Sequence, residues 1–149
     1  MSHSDFQDLF PAQAVSTRHF AAGTILIREG ETGNSMYFIV SGQVEVLKAD
    51  PKGNKAPVRL GILGPHDIFG EIGVLSPNHE RTATVQTLTP CDIVVLSSEF
   101  LQMEIQKLSP AMQLMLQTLL SRMRETNWCL LQSRLKGLQQ ITHPYEAGF

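Results

Sequence analysis

Between Phe69 and Val85 the chain reads FGEIGVLSPNHERTATV, a stretch that concentrates groups able to hold an anionic, hydroxylated small molecule. Glu71 offers a carboxylate, which accepts hydrogen bonds from sugar hydroxyls, and Arg81 offers a guanidinium whose forked donors match phosphate oxygens in pairs. Gly70 precedes a segment that can open as a short helix, and backbone amides around Ile72 and Gly73 would then lie at its positive end, where a phosphate is favoured. Thr82 adds a hydroxyl directly after the arginine, with Phe69 and Ala83 flanking the set. The combination suits a nucleotide better than a free inorganic ion. The alternative is structural: Glu71 and Arg81 would form an ion pair closing a loop, Gly70 and Gly73 would only permit a turn, and His79 would face solvent.

Such groups need a rigid frame, and the surrounding sequence predicts a β one. From Thr24 onward, TILIREG, SMYFIVSG, QVEVL and VRLGIL are short β-branched runs separated by glycine or polar residues, and TATVQTL and CDIVVLS continue the pattern. EGETGN places Gly30, Gly33 and Asn34 at tight reversals that call for unusual backbone angles, Gly42 separates two runs, and DPKGNKAP over 50–57 reads as an exposed hairpin loop. Residues 4–20, with Phe6, Leu9, Phe10, Val15 and Phe20, predict a short helix and an irregular packing segment. At Ser97 the period changes. Ser97 or Ser98 caps a helix to about Lys107 with Glu99 near its positive end, and Ser109–Pro110 starts a longer helix to about Lys136. That helix carries an apolar stripe through Met112, Met115, Leu116, Leu119, Leu120 and Met123, then Trp128 and Leu131; Gly137 ends it.

Composition narrows the classes. The 149 residues suffice for one core, and their 42% apolar content argues against general disorder. Fourteen acidic residues against twelve basic ones, with no dense basic run, do not favour nucleic-acid binding. Cys91 and Cys129 form neither a CxxC site nor a zinc framework, so no metal is expected. No HExxH, paired metal carboxylates or nucleophile–base arrangement is visible, which predicts a chain without catalytic residues that is not an enzyme. No signal peptide or membrane span is apparent, which places the protein in the cytoplasm.

FGEIG followed at this distance by RTATV resembles the phosphate-binding cassette of cyclic nucleotide-binding domains, and IREGETGNSMYFIVSGQVEV resembles the first strands and turns of that family. The likeness extends from about Phe20 to Arg124. It implies a mainly β fold, an eight-stranded antiparallel β roll of jelly-roll type with a short N-terminal helical segment and a long C-terminal helix. The implied organisation is an N-terminal segment over 1–19, the binding domain with its C-terminal helix over 20–137, and a tail over 138–149.

The resemblance gives Glu71 the ribose 2′-hydroxyl and Arg81 the cyclic phosphate. Gly70, Ile72 and Gly73 match backbone positions beside the sugar and phosphate, and Thr82 matches a position whose hydroxyl reaches phosphate or purine; Phe69 and Ala83 complete the segment. Gly73 follows the bacterial activator pattern where many relatives have alanine. The C-terminal helix would close as a lid, with Leu119, Arg122, Met123 and Arg124 as candidate contacts. The expected ligand is cAMP, favoured over cGMP, with no further cofactor. Expected partners are the nucleotide itself and a second copy or an output protein on the C-terminal helix. The family's helix-turn-helix DNA-binding domain is not expected after Gly137. The competing reading is a ligand-free structural or partner-binding β roll.

Overall fold

In the computed structural model, residues 8, 10, 15–71, 78–123 and 125 are described. Two compact units are present, Met1–Ser109 and Pro110–Phe149.

Among the described residues the first unit has eight strands, β1 (Val15–Phe20), β2 (Ile25–Ile27), β3 (Ser35–Ser41), β4 (Val44–Lys48), β5 (Val58–Leu63), β6 (Ile68–Phe69), β7 (Thr84–Thr87) and β8 (Cys91–Ser97), followed by helix α1 (Ser98–Gln106). They form two four-stranded sheets, ordered β1-β8-β3-β6 and β2-β7-β4-β5, with every strand pair antiparallel. The predicted mainly β architecture with a following helix is therefore present. Val58–Leu63 coincides with the VRLGIL run, and the 50–57 loop is where the hairpin was expected, with the Asp50 carboxylate accepting from the amides of Asn54 and Lys55 at 3.1 Å.

β8 explains how the unit holds together. Its IVVL run is buried on both faces, which is why it reads as a continuous apolar segment and not as an alternation. Cys91 and Ile93 face a core with Ile27, Ile39, Val44, Phe69 and Val85. Val94 and Leu96 face another with Phe38 and Phe100. Full burial of each such aliphatic side chain contributes about 1.5–3 kcal/mol. Cys91 fills apolar space as expected; Cys129 lies outside the described residues.

Over 4–20 the expected short helix falls largely outside the described residues, and the described end of the segment differs from the expectation of irregular packing. Their last six residues form β1, paired with β8 from Val15↔Leu96 to Phe20↔Cys91. VSTRHF is exposed at its four central positions, so it carries no apolar alternation, and its strand character is imposed by the neighbour. The helix start at Ser97 is as predicted: its hydroxyl accepts from the Phe100 amide at 3.3 Å, and Glu99 occupies the first turn.

In the second unit a helix, α2, runs over 110–123, with proline at its first position. The predicted continuation from 126 to Lys136, including Trp128, and the tail over 138–149 lie outside the described residues. Among the described residues no helix is long and apolar enough to cross a membrane.

Candidate functional site

The site begins where β6 ends. Phe69 is 4% exposed and its ring stacks on Tyr37 of β3, with centroids 4.9 Å apart and planes 10° from parallel. The stack anchors the short β6, and the chain must then turn sharply out of the core. Gly70 makes that turn at φ +84°, a region costly for any residue with a Cβ. A Cβ there would also lie 3.0 Å from Arg81 Nη1 and 3.1 Å from the Ser35 carbonyl. Phe69 is thus a core residue that aims the cassette; its own ring belongs to the interior.

Arg81 is the centre of the arrangement and only 6% exposed. Its Nη1 donates to the Gly70 carbonyl at 2.9 Å and its Nη2 to the Ser35 carbonyl at 2.7 Å. Its backbone is held as firmly: Gly30 N–H donates to Arg81 O and Arg81 N–H donates to Glu31 O, both at 2.8 Å. The side chain lies over Gly33, where a Cβ would come within 2.8 Å of the guanidinium carbon. Gly33, expected to be a turn glycine with an unusual backbone angle, has no positive φ, whereas Gly30 does. It must be glycine because an arginine from far along the chain covers it, and nothing in its local sequence signals that.

Two neutral carbonyls orient the Arg81 charge without neutralising it. Among the described residues no carboxylate lies within ion-pair distance of it, so the alternative of a closed Glu71–Arg81 salt bridge is not the observed arrangement. Burial pulls the Arg81 pKa below its ordinary value, opposed by the electrostatic influence of Tyr37 and Glu71. Glu71 is half-buried, and desolvation raises its carboxyl above the ordinary glutamate value, offset in part by its own backbone amide and by Arg81. A desolvated cation and a desolvated carboxyl beside the Gly70 turn are each stabilised by a ligand that brings the complementary group: an anion for one, a hydroxyl donor for the other.

Of the other expected contacts, Thr82 and Ala83 lie between Arg81 and β7, and the Thr82 carbonyl accepts from Lys48 Nζ at 2.5 Å. Ile72, Gly73 and Arg124 lie outside the described residues, while Leu119, Arg122 and Met123 are on α2, in the second unit. His79, expected in solvent, has φ +52° and a buried Nδ1 with no hydrogen-bond partner among the described residues, and its carbonyl accepts from Gly33 N–H at 3.1 Å. Ser35 and Tyr37 carry no sequence signal of a role here and act on the site through a backbone carbonyl and a core ring. Among the described residues no cluster of potential metal ligands occurs.

Proteins of known sequence and structure resemble this chain. The chain is 32% identical over 108 residues to a CRP-like cAMP-activated global transcriptional regulator of Mycobacterium tuberculosis, covering 72% of this chain and 47% of that protein. It therefore spans about half the length of that relative. Among solved structures, the cAMP-bound form of EAL enzyme Bd1971 shares the fold, with a TM-score of 0.68 at 24% identity, covering 89% of this chain and 34% of that one. cAMP-bound PfPKA-R (141–441) matches with a TM-score of 0.54 at 34% identity, covering 58% of this chain and 29% of that one. The family model for the cyclic nucleotide-binding domain matches residues 17–107, more than half of the chain, a span that includes Gly70, Glu71 and Arg81. The chain belongs to the cyclic nucleotide-binding domain family.

Proposed function

We propose that this chain binds cAMP, in preference to cGMP, as a regulatory sensor module and does not transform it. The observation that carries the reading is the state of Arg81: a nearly buried cation, fixed by the Gly70 and Ser35 carbonyls, without an ionised partner among the described residues. A cyclic phosphate supplies the missing anion through bidentate charge-assisted bonds. Glu71, a half-buried carboxyl with a raised pKa, takes the ribose 2′-hydroxyl. Gly70 lets the backbone approach the sugar, and Thr82 and Ala83 border the phosphate. The relatives described as cAMP-activated or cAMP-bound support cAMP as the ligand.

In this proposal the C-terminal helix closes over the purine, using Leu119, Arg122 and Met123, and carries the signal to a second copy of the chain or to an output protein. The test is calorimetric titration with cAMP, cGMP, 5′-AMP and adenosine, followed by chromatography for hydrolysis products. Tight cAMP binding, weaker cGMP and 5′-AMP binding, and unchanged nucleotide support the assignment. Equal binding of adenosine removes the phosphate from the recognition scheme, and turnover to 5′-AMP makes the chain an enzyme.

A further inference from the structure

Thr82 and Ala83 occupy a gap in the backbone scaffolding. On one side, Arg81 is tied to Gly30 and Glu31 by a reciprocal pair of hydrogen bonds, next to the Thr32↔Glu80 bridge. On the other, β7 starts at Thr84, paired with Leu47 of β4. The two residues between belong to neither ladder, yet they are the ones that follow the phosphate-binding arginine.

Lys48, the last residue of β4, fills that gap. Its Nζ donates to the Thr82 carbonyl at 2.5 Å and pairs with Glu29 Oε1 at 2.6 Å. Both side chains are mostly buried, at 19% and 25% exposure, so the pair is less screened than a surface salt bridge. Glu29 is itself held twice: Oε2 accepts from Ala49 N–H at 2.8 Å, and its own N–H donates to Thr84 Oγ1 at 3.0 Å. The β2 exit turn, the end of β4 and the chain after Arg81 are thus joined through one ammonium group.

Resting on the assignment of this cassette to a cyclic nucleotide, we infer that Lys48, seated by Glu29, is a positioning residue that sets the orientation of the Thr82–Ala83 peptide toward the cyclic phosphate. The peptide unit is planar and trans, so fixing the direction of the Thr82 C=O also fixes the Ala83 N–H, which points the opposite way. A cation on the carbonyl further polarises the amide and strengthens its N–H as a donor. Lys48 therefore acts on ligand geometry through the backbone, without needing to touch the ligand. Its effect differs between the two exocyclic phosphate oxygens, because one peptide edge cannot face both equally.

The experiment compares the full chain with Lys48→Met, which keeps the aliphatic stem and removes the ammonium. Each is titrated with cAMP and with its Sp and Rp phosphorothioate diastereomers. The expected result is about a tenfold loss of cAMP affinity, the scale of one charge-assisted hydrogen bond, and an Sp/Rp affinity ratio shifted by about threefold or more. Lys48→Arg, which restores cation and donors, should bring the ratio back toward wild type. Should Lys48→Met not fold, Glu29→Gln, which unseats the ammonium but keeps a hydrogen-bonding amide, is judged by the same shift in ratio. Unchanged affinity and ratio in the folded variant overturn the inference, as does an equal loss on both diastereomers that Lys48→Arg fails to restore. Wild-type protein that binds none of the three nucleotides overturns the cyclic nucleotide assignment, and the role of Lys48 with it; binding by wild type isolates a failure to Lys48 alone.

Discussion

Replacing Arg81 with alanine separates what the arginine does for the ligand from what it does for the fold. On the ligand side, a bidentate grip on phosphate is two charge-assisted hydrogen bonds at about 1.5–3 kcal/mol each. The guanidinium is already pinned by the Gly70 and Ser35 carbonyls, so little side-chain entropy is spent on binding. The loss of affinity should be about 3–5 kcal/mol, or two to nearly four decades in Kd. On the fold side, the variant leaves two carbonyls without their donor and opens space above Gly33, but it also removes a cation whose charge is disfavoured by burial. These effects oppose each other, and the net destabilisation of the ligand-free protein should be only about 1–2 kcal/mol. Calorimetric titration with cAMP gives the first quantity and guanidinium chloride unfolding the second. A folded variant whose Kd rises less than about fivefold, under 1 kcal/mol, would refute the phosphate assignment.

The raised pKa of Glu71 predicts a pH dependence with a definite sign. The ligand-free folded carboxyl holds its proton more tightly than the unfolded one, so its contribution to stability is full below the ordinary glutamate pKa and is lost as pH rises through the raised value. An ionised carboxylate accepting the 2′-hydroxyl reverses that preference, so cAMP affinity should climb with pH across the same window, while 2′-deoxy-cAMP and the Glu71→Gln variant give flat profiles in parallel titrations. Gly33→Ala should displace the guanidinium and weaken cAMP binding by about tenfold or more, a loss of at least 1.4 kcal/mol; unchanged affinity would show that Arg81 does not need its present seat. Hydrogen exchange should show ligand-dependent protection over 110–130 as well as at Gly70 and Arg81–Thr82, and protection confined to the cassette would make the helix scaffolding and not a lid.

What could be read directly from the chain was whatever is encoded by near neighbours. Gly70, Glu71, Arg81 and Thr82 stand in one short segment, so their chemistry was visible before any fold was known. The double-sided burial of β8 showed as an uninterrupted IVVL, and the Ser97 cap showed as a serine three residues before Phe100. Long-range features were hidden. β1 has exposed serine, threonine, arginine and histidine at its centre and becomes a strand only because β8 lies beside it. Gly33 looked like a turn residue because its covering side chain comes from Arg81. Lys48 and Glu29 carry no local signal of a role: their pairing, and the carbonyl they hold, exist only after β2, β4 and β7 have come together.

The position of β8 also sets a timetable. It is the last strand among the described residues, yet it lies between β1 and β3, so the sheet β1-β8-β3-β6 has no middle until residues 91–97 are available. Val15 pairs with Leu96, about 80 residues later, and at a synthesis rate of about 5–20 residues per second the ribosome needs roughly 4–16 s to supply the partner. During that interval the edges of β1 and β3 that face β8 are unpaired, open to pairing with another nascent chain or to capture by a chaperone. The second carbonyl on Arg81 belongs to Ser35 at the start of β3, so the anion seat is finished only when this late strand has locked β3 in place. Capture of an anion at Arg81 during synthesis should therefore begin abruptly, once β8 has cleared the exit tunnel, and would serve as a clock for closure of the roll.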